Sequence, residues 1–106
     1  MKGHQKILER IKKIVLSGEP SAKVYLYGSR ARGTTARADS DWDLLILLNR
    51  DKITTDIERA VTYPLYDLEF ELGQVISPLV YSESEWNTKY RITPFYSNVM
   101  KEGILL

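Results

Sequence analysis

The sequence predicts an α/β domain in which a small β-sheet is flanked by helices, and three observations predict it. Residues 4–17 and 54–72 repeat their apolar positions at helical spacing. Residues 23–27 and 42–48 concentrate β-branched, aromatic and aliphatic side chains in short runs bounded by turn-forming residues. The elements follow one another as helix, strand, turn, strand, helix, strand, helix, an order that suits one layered domain over residues 1–106.

The first helix spans residues 4–17, with Ile7, Leu8, Ile11, Ile14 and Val15 on one stripe and Lys and Arg between them. Ser17-Gly18-Glu19-Pro20 stops it. Lys23-Val24-Tyr25-Leu26-Tyr27 reads as a strand that Gly28 ends. Residues 29–41 are rich in Gly, Ser, Thr, Arg and Asp, with one helical turn expected at Ser29–Arg32. Residues 42–48 form a strand whose later half is apolar on both faces, which predicts a buried central position.

Ile57, Val61, Leu65, Leu68 and Leu72 define a second amphipathic helix over 54–72, capped by Thr54 or Thr55. Pro64 inside it predicts a kink or a restart. Leu68-Glu69-Phe70-Glu71-Leu72 also alternates like a strand, but the longer window fits the 3.6-residue period better. Gly73 ends the helix, and residues 74–81 give a third strand in which Pro78 predicts an edge position or a bulge. Ser82-x-x-Glu85 has the form of a capping box for a short helix. Pro94 opens the last helix, with Gly103 just past its end.

Composition excludes several function classes. Fifteen Lys and Arg against fourteen Asp and Glu leave a net charge of +1, without the basic excess of a duplex nucleic-acid binder. The absence of cysteine removes disulfides and thiolate metal sites, and the single His4 removes a histidine-rich one. The charged, amphipathic N-terminal segment does not have the form of a signal peptide. No apolar run approaches the ~18 residues of a membrane span. Together these predict a cytoplasmic protein that does not meet a membrane.

The chemistry concentrates in Gly28-Ser29-Arg30-Ala31-Arg32-Gly33-Thr34 and Ser40-Asp41-Trp42-Asp43-Leu44. Asp41 and Asp43 stand at i and i+2 where a strand begins, so both project from one face. Two adjacent carboxylates repel one another, and their natural use is to hold a hard divalent cation such as Mg²⁺. Trp42 then faces the other way, into packing. Gly28 permits a sharp bend and close approach of a ligand. Ser29 offers a hydroxyl and backbone N–H groups suited to phosphate. Arg30, Arg32 and Arg37 add positive charge, each of them also compatible with a plain surface role. A phosphate cradle on one strand beside a metal pair on the next meets the needs of phosphoryl or nucleotidyl transfer.

Gly28-Ser-Arg-Ala-Arg-Gly with Ser40-Asp-Trp-Asp-Leu resembles the signature of the polymerase-β-like nucleotidyltransferase superfamily. More narrowly, it resembles the small MNT-type domains, including antitoxins paired with HEPN-domain toxins. The resemblance implies a nucleotidyltransferase fold with a mixed sheet. It implies that Gly28 and Ser29, with Arg30 and Arg32 beside them, bind the nucleotide, and that Asp41 and Asp43 are the catalytic pair that ligates Mg²⁺. It further implies transfer of AMP from ATP to a hydroxyl of a protein partner, HEPN-like, or a site completed by a homo-oligomer. Active members carry a third carboxylate on the next strand; here that strand has none, and Ser77 or a neighbour takes its place. Glu69 or Glu71 could supply it only if residues 68–72 were a strand. Two alternatives follow: a weak or inactive antitoxin-like subunit that neutralises its partner by contact, and a small-molecule enzyme of the aminoglycoside-modifying kind. Among the remaining residues, Asp39 is expected in a turn and His4 exposed near a frayed end. Tyr25, Tyr27, Phe70 and Trp86 are expected in the core, Glu69 and Glu71 on a solvated helix face, and the Tyr90–Tyr96 region in packing or a partner interface.

Overall fold

A computed structural model describes residues 2–33 and 40–106. The chain runs α1 (Lys2–Gly18), β1 (Lys23–Tyr27), α2 (Ser29–Arg32), β2 (Trp42–Leu48), α3 (Thr55–Leu72), β3 (Ile76–Ser82), α4 (Glu83–Thr88), α5 (Pro94–Glu102) and β4 (Ile104–Leu105). The sheet order is β3-β2-β1-β4. β1 pairs antiparallel with β2 and with β4, while β2 and β3 are parallel, so the sheet is mixed. A parallel pair needs a long crossover, and α3 supplies it.

β2 is central, and Leu44 through Leu48 are all buried. Its alternate residues serve two cores. Trp42, Leu44, Ile46 and Leu48 pack with Val24, Leu26 and Ile76 against Ile11 and Val15 of α1 and Val61, Leu65 and Leu68 of α3. Leu45 and Leu47 face Trp86 and Val99, ringed by Tyr25, Tyr27, Tyr81, Tyr90, Phe95 and Tyr96. The aromatic segment at 90–96 is therefore largely packing, although Ile92 stays 91% exposed.

α3 is one helix, capped by Thr54 Oγ1, which accepts from the Ile57 N–H at 3.2 Å. The restart expected at Pro64 does not occur. Val61, Leu65 and Leu68 hold the helix to the core on both sides of the proline. Pro64 and Ala60 are both exposed, so the Ala60 carbonyl that loses its helical partner can turn to water. The helix ends at Gly73, in the left-handed region with φ 67°, whose N–H reaches Glu69 O at 2.9 Å.

Phe70 corrects an expectation: it is 91% exposed rather than core. The helical period that buries Leu68 turns Phe70 outward, whereas alternation would have kept the two together. Pro78 lies on the edge strand β3, where a missing donor is tolerated. The short β4 has no counterpart in the sequence reading. It pairs Ile104 with Leu26 and Leu105 with Tyr25, and Leu106 N–H donates to Val24 O at 2.9 Å. Among the described residues no helix is long and apolar enough to cross a membrane.

Candidate functional site

The turn after β1 begins with Gly28, at φ 75° and ψ −158°. A positive φ suits glycine, and sterics demand it here as well. A Cβ at Gly28 would overlap Asp43 Oδ2 and lie 3.3 Å from its Cγ. The carboxylate of β2 thus occupies the space a side chain on the turn would fill. α2 follows as a single turn, with Ala31 and Arg32 N–H donating to Gly28 O at 3.1 and 3.2 Å. Ser29 opens that turn, where helical N–H groups point outward along the axis.

Trp42 sets the direction of its two acidic neighbours. It is 1% exposed, and its Nε1 donates to Gln74 Oε1 at 2.7 Å. Its backbone N–H donates to Val75 O at 2.9 Å. The Arg30 guanidinium lies 4.0 Å above its ring centre, and His4 meets the ring edge-on at 4.7 Å. Arg30 Nε also donates to Ser40 O at 2.9 Å and Nη2 to Gln74 Oε1 at 3.4 Å. This clamp seats Trp42 in the α1–α3 core, and Asp43 emerges on the opposite face in register with Tyr27 of β1. Asp41, exposed, precedes the strand.

A nucleotidyltransferase-domain family model matches residues 8–106. The chain belongs to the nucleotidyltransferase domain family. Two solved structures share the fold: a toxin–antitoxin with AMP-PNP (TM-score 0.62, 21% identity) and a tyrosine-to-alanine mutant of the toxin–antitoxin MntA–HpeT (TM-score 0.59, 19% identity). Each likeness covers 92% of this chain and 69% of the other. No curated protein sequence matches it significantly.

In this nucleotidyltransferase domain the electrostatics gather around Asp43. Burial pushes its carboxyl above the usual range, the Asp41 charge pushes it further, and Arg32 opposes both. Burial, then Asp43, then Tyr81 raise the Tyr27 hydroxyl to about 12, so it stays protonated. The structure therefore brings Gly28, Asp41, Asp43 and Arg32 into one neighbourhood. The Arg30 guanidinium lies over Trp42 and donates to Ser40 O and Gln74 Oε1. Arg32 forms an ion pair with Glu102 of α5 at 3.5 Å. Thr34, Arg37 and Asp39 lie outside the described residues.

Nucleotidyltransferase domains generally use a divalent metal. Paired carboxylates whose repulsion raises one of them are suited to such a cation, because binding it removes the repulsion. Mg²⁺ commonly takes one or two carboxylates and completes its shell with water and phosphate oxygens. Asp41 and Asp43 fit that demand. Among the described residues no group of three or more His, Cys, Asp or Glu is placed to hold a metal. Ser77 is the β3 residue in register with Asp43. Glu69 Oε2 accepts from the Ile76 N–H at 2.7 Å, and Glu71 pairs with Arg10.

The sequence reading missed two supports of the site. His4, read as a frayed-end residue, is partly covered against Trp42, where burial first and Arg30 second hold its pKa down. Gln74 accepts from both Trp42 and Arg30. Its placement straight after the αL cap of α3 is the one local signal that could have drawn notice.

Proposed function

We propose that this nucleotidyltransferase domain, acting as one domain over residues 1–106, transfers AMP from ATP to a hydroxyl of a partner protein in the cytoplasm. The observation that carries the reading is the seating of the Asp43 carboxylate against Gly28, with Asp41 close enough to raise it. The shared fold with two toxin–antitoxin structures, one of them with AMP-PNP, supports a nucleotide ligand and a protein partner; that the partner is HEPN-like follows from the sequence resemblance alone.

In this reading Gly28 and Ser29 receive the triphosphate, and Arg32 adds positive charge beside it. Asp41 and Asp43 hold Mg²⁺, which when bound neutralises phosphate charge and orients the leaving group. Arg30 acts through Trp42 and Ser40, fixing where β2 starts and so where both carboxylates stand. The acceptor oxygen forms a bond to the α-phosphorus while the bond to pyrophosphate breaks, and the acceptor's proton leaves to solvent. The protein contributes position and charge more than covalent chemistry.

Thermal unfolding with Mg-ATP against ATP plus chelator tests the site, because a ligand of the folded state raises apparent stability. Wild type is stabilised only with Mg-ATP, and Asp43→Ala loses the effect. Equal stabilisation of the variant sinks the site assignment. A mass gain of one AMP on a co-purified helical partner tests the transfer.

A second reading rests on Ser77. With a serine in register with Asp43, the domain binds nucleotide and neutralises its partner by contact. In that case Asp43→Ala leaves neutralisation in cells intact, whereas the transfer reading requires its loss.

A further inference from the structure

We propose that the cavity between α5 and the Gly28 turn is the nucleobase pocket of this site, selecting a purine with an exocyclic amino group through Asn98 and Glu102. The inference rests on the triphosphate reading above and extends it to the base.

Position comes first. The cavity, about 220 Å³, is lined by Gly28 and Arg32 of the turn and by Tyr27, the residue in register with Asp43. It therefore opens from the place assigned to the phosphates. A larger cavity of about 290 Å³ lies between α1 and α3, on the opposite side of the sheet, and shares no residue with the turn. The smaller one falls below the roughly 300–1,000 Å³ typical of pockets for drug-sized ligands, which suits one ring system rather than a whole nucleotide.

Chemistry comes second. α5 presents two i, i+4 pairs to the cavity: Phe95 with Val99, and Asn98 with Glu102. The first pair is apolar, and the Phe95 ring meets Tyr27 edge-on at 5.3 Å. A flat heterocycle finds an aromatic and aliphatic wall there. The second pair is polar and exposed at the rim. A carboxamide offers one donor and one acceptor side by side, matching an amino group next to a ring nitrogen, as on the N6/N7 edge of adenine. Glu102 can only accept when ionised, so it favours an amino group and opposes a carbonyl at the same ring position. Its ion pair with Arg32 ties the last turn of α5 to the phosphate turn.

The test measures binding of Mg-ATP, Mg-ITP and Mg-tripolyphosphate to the purified protein by calorimetry. ITP differs from ATP in a 6-oxo group replacing the 6-amino group, with a proton on the adjacent N1, so the N6/N7 edge that Asn98 would read changes from donor–acceptor to acceptor–acceptor. Wild type should bind ATP roughly tenfold or more tighter than ITP, the scale of one or two hydrogen bonds. Asn98→Ala should weaken ATP by a similar factor and leave tripolyphosphate unchanged, and Glu102→Gln should narrow the gap between ATP and ITP. Both side chains are exposed, and matching unliganded melting curves would show that the variants fold. ATP and tripolyphosphate binding equally well to wild type would overturn the pocket while sparing the phosphate site. Failure of all three probes would overturn the triphosphate reading itself.

Discussion

Gly28 and Asp43 compete for one volume: the carboxylate on β2 occupies the space where any side chain on the β1–α2 turn would have to go. Gly28 directly follows β1, Asp43 lies on the antiparallel neighbour β2, and Tyr27, just before the glycine, is the register partner of Asp43.

Gly28→Ala should therefore be costly twice over. The backbone would hold a side chain at φ 75°, and the new methyl would displace Asp43. The strain alone is worth about 1–3 kcal/mol. Urea unfolding should show that loss, and Mg-ATP should no longer raise the midpoint.

Asp43 makes a pH-dependent contribution whose sign is opposite to that of a salt-bridged acid. Its folded pKa is raised, by burial and then by Asp41. The folded state therefore binds the proton more tightly than the unfolded state. Stability from this group is greatest below the ordinary aspartate pKa and falls as pH rises through the raised value. Asp43→Asn should be more stable than wild type at neutral pH, and the difference should vanish in acid. Melting curves of both proteins across pH 3–7 (roughly the carboxylate range and above it) measure this. Added Mg²⁺ should stabilise only the wild type.

Gln74→Leu tests the clamp on Trp42. The indole N–H, bonded to Gln74 at 2.7 Å, would lose its acceptor beside a buried ring. An orphaned buried donor costs about 1–3 kcal/mol, readable as a lower urea midpoint. Because the clamp sets where Asp41 and Asp43 stand, affinity for Mg-ATP should fall as well.

Ser77→Asp places a third carboxylate in register with Asp43 on the same sheet. Without metal the added repulsion should lower the melting temperature. With Mg²⁺ or Mn²⁺ the loss should be recovered. Under the transfer reading, incorporation of labelled AMP into the partner should rise. Unchanged melting in both conditions would mean that the two side chains do not meet.

Most elements of this fold were legible in short windows. Thr54, Ser82, Pro94, Gly73 and Gly28 act through neighbours within a few residues, so their signals mark helix starts, a helix stop and the end of a strand. Of the two outcomes read from Pro64 the restart does not occur, because Val61, Leu65 and Leu68 hold the helix on either side. Phe70 misled because strand-like alternation and helical facing overlap in a five-residue stretch. β4 left no signal, since two residues gain strand character only from the strand they meet.

The sequence by itself determined that the chain has a glycine-serine turn after one strand, an aspartate pair opening the next, and no acid on the third. Those features rest on spacing along the backbone, where period and local sterics decide. Only the tertiary structure decided that Asp43 fills the void at Gly28, that the Arg30 guanidinium lies over Trp42, and that Ser77 stands beside Asp43. Each of these is a contact between residues distant in the chain. Such contacts follow from strand register and from the packing of two cores on opposite faces of one sheet, and no local window contains either.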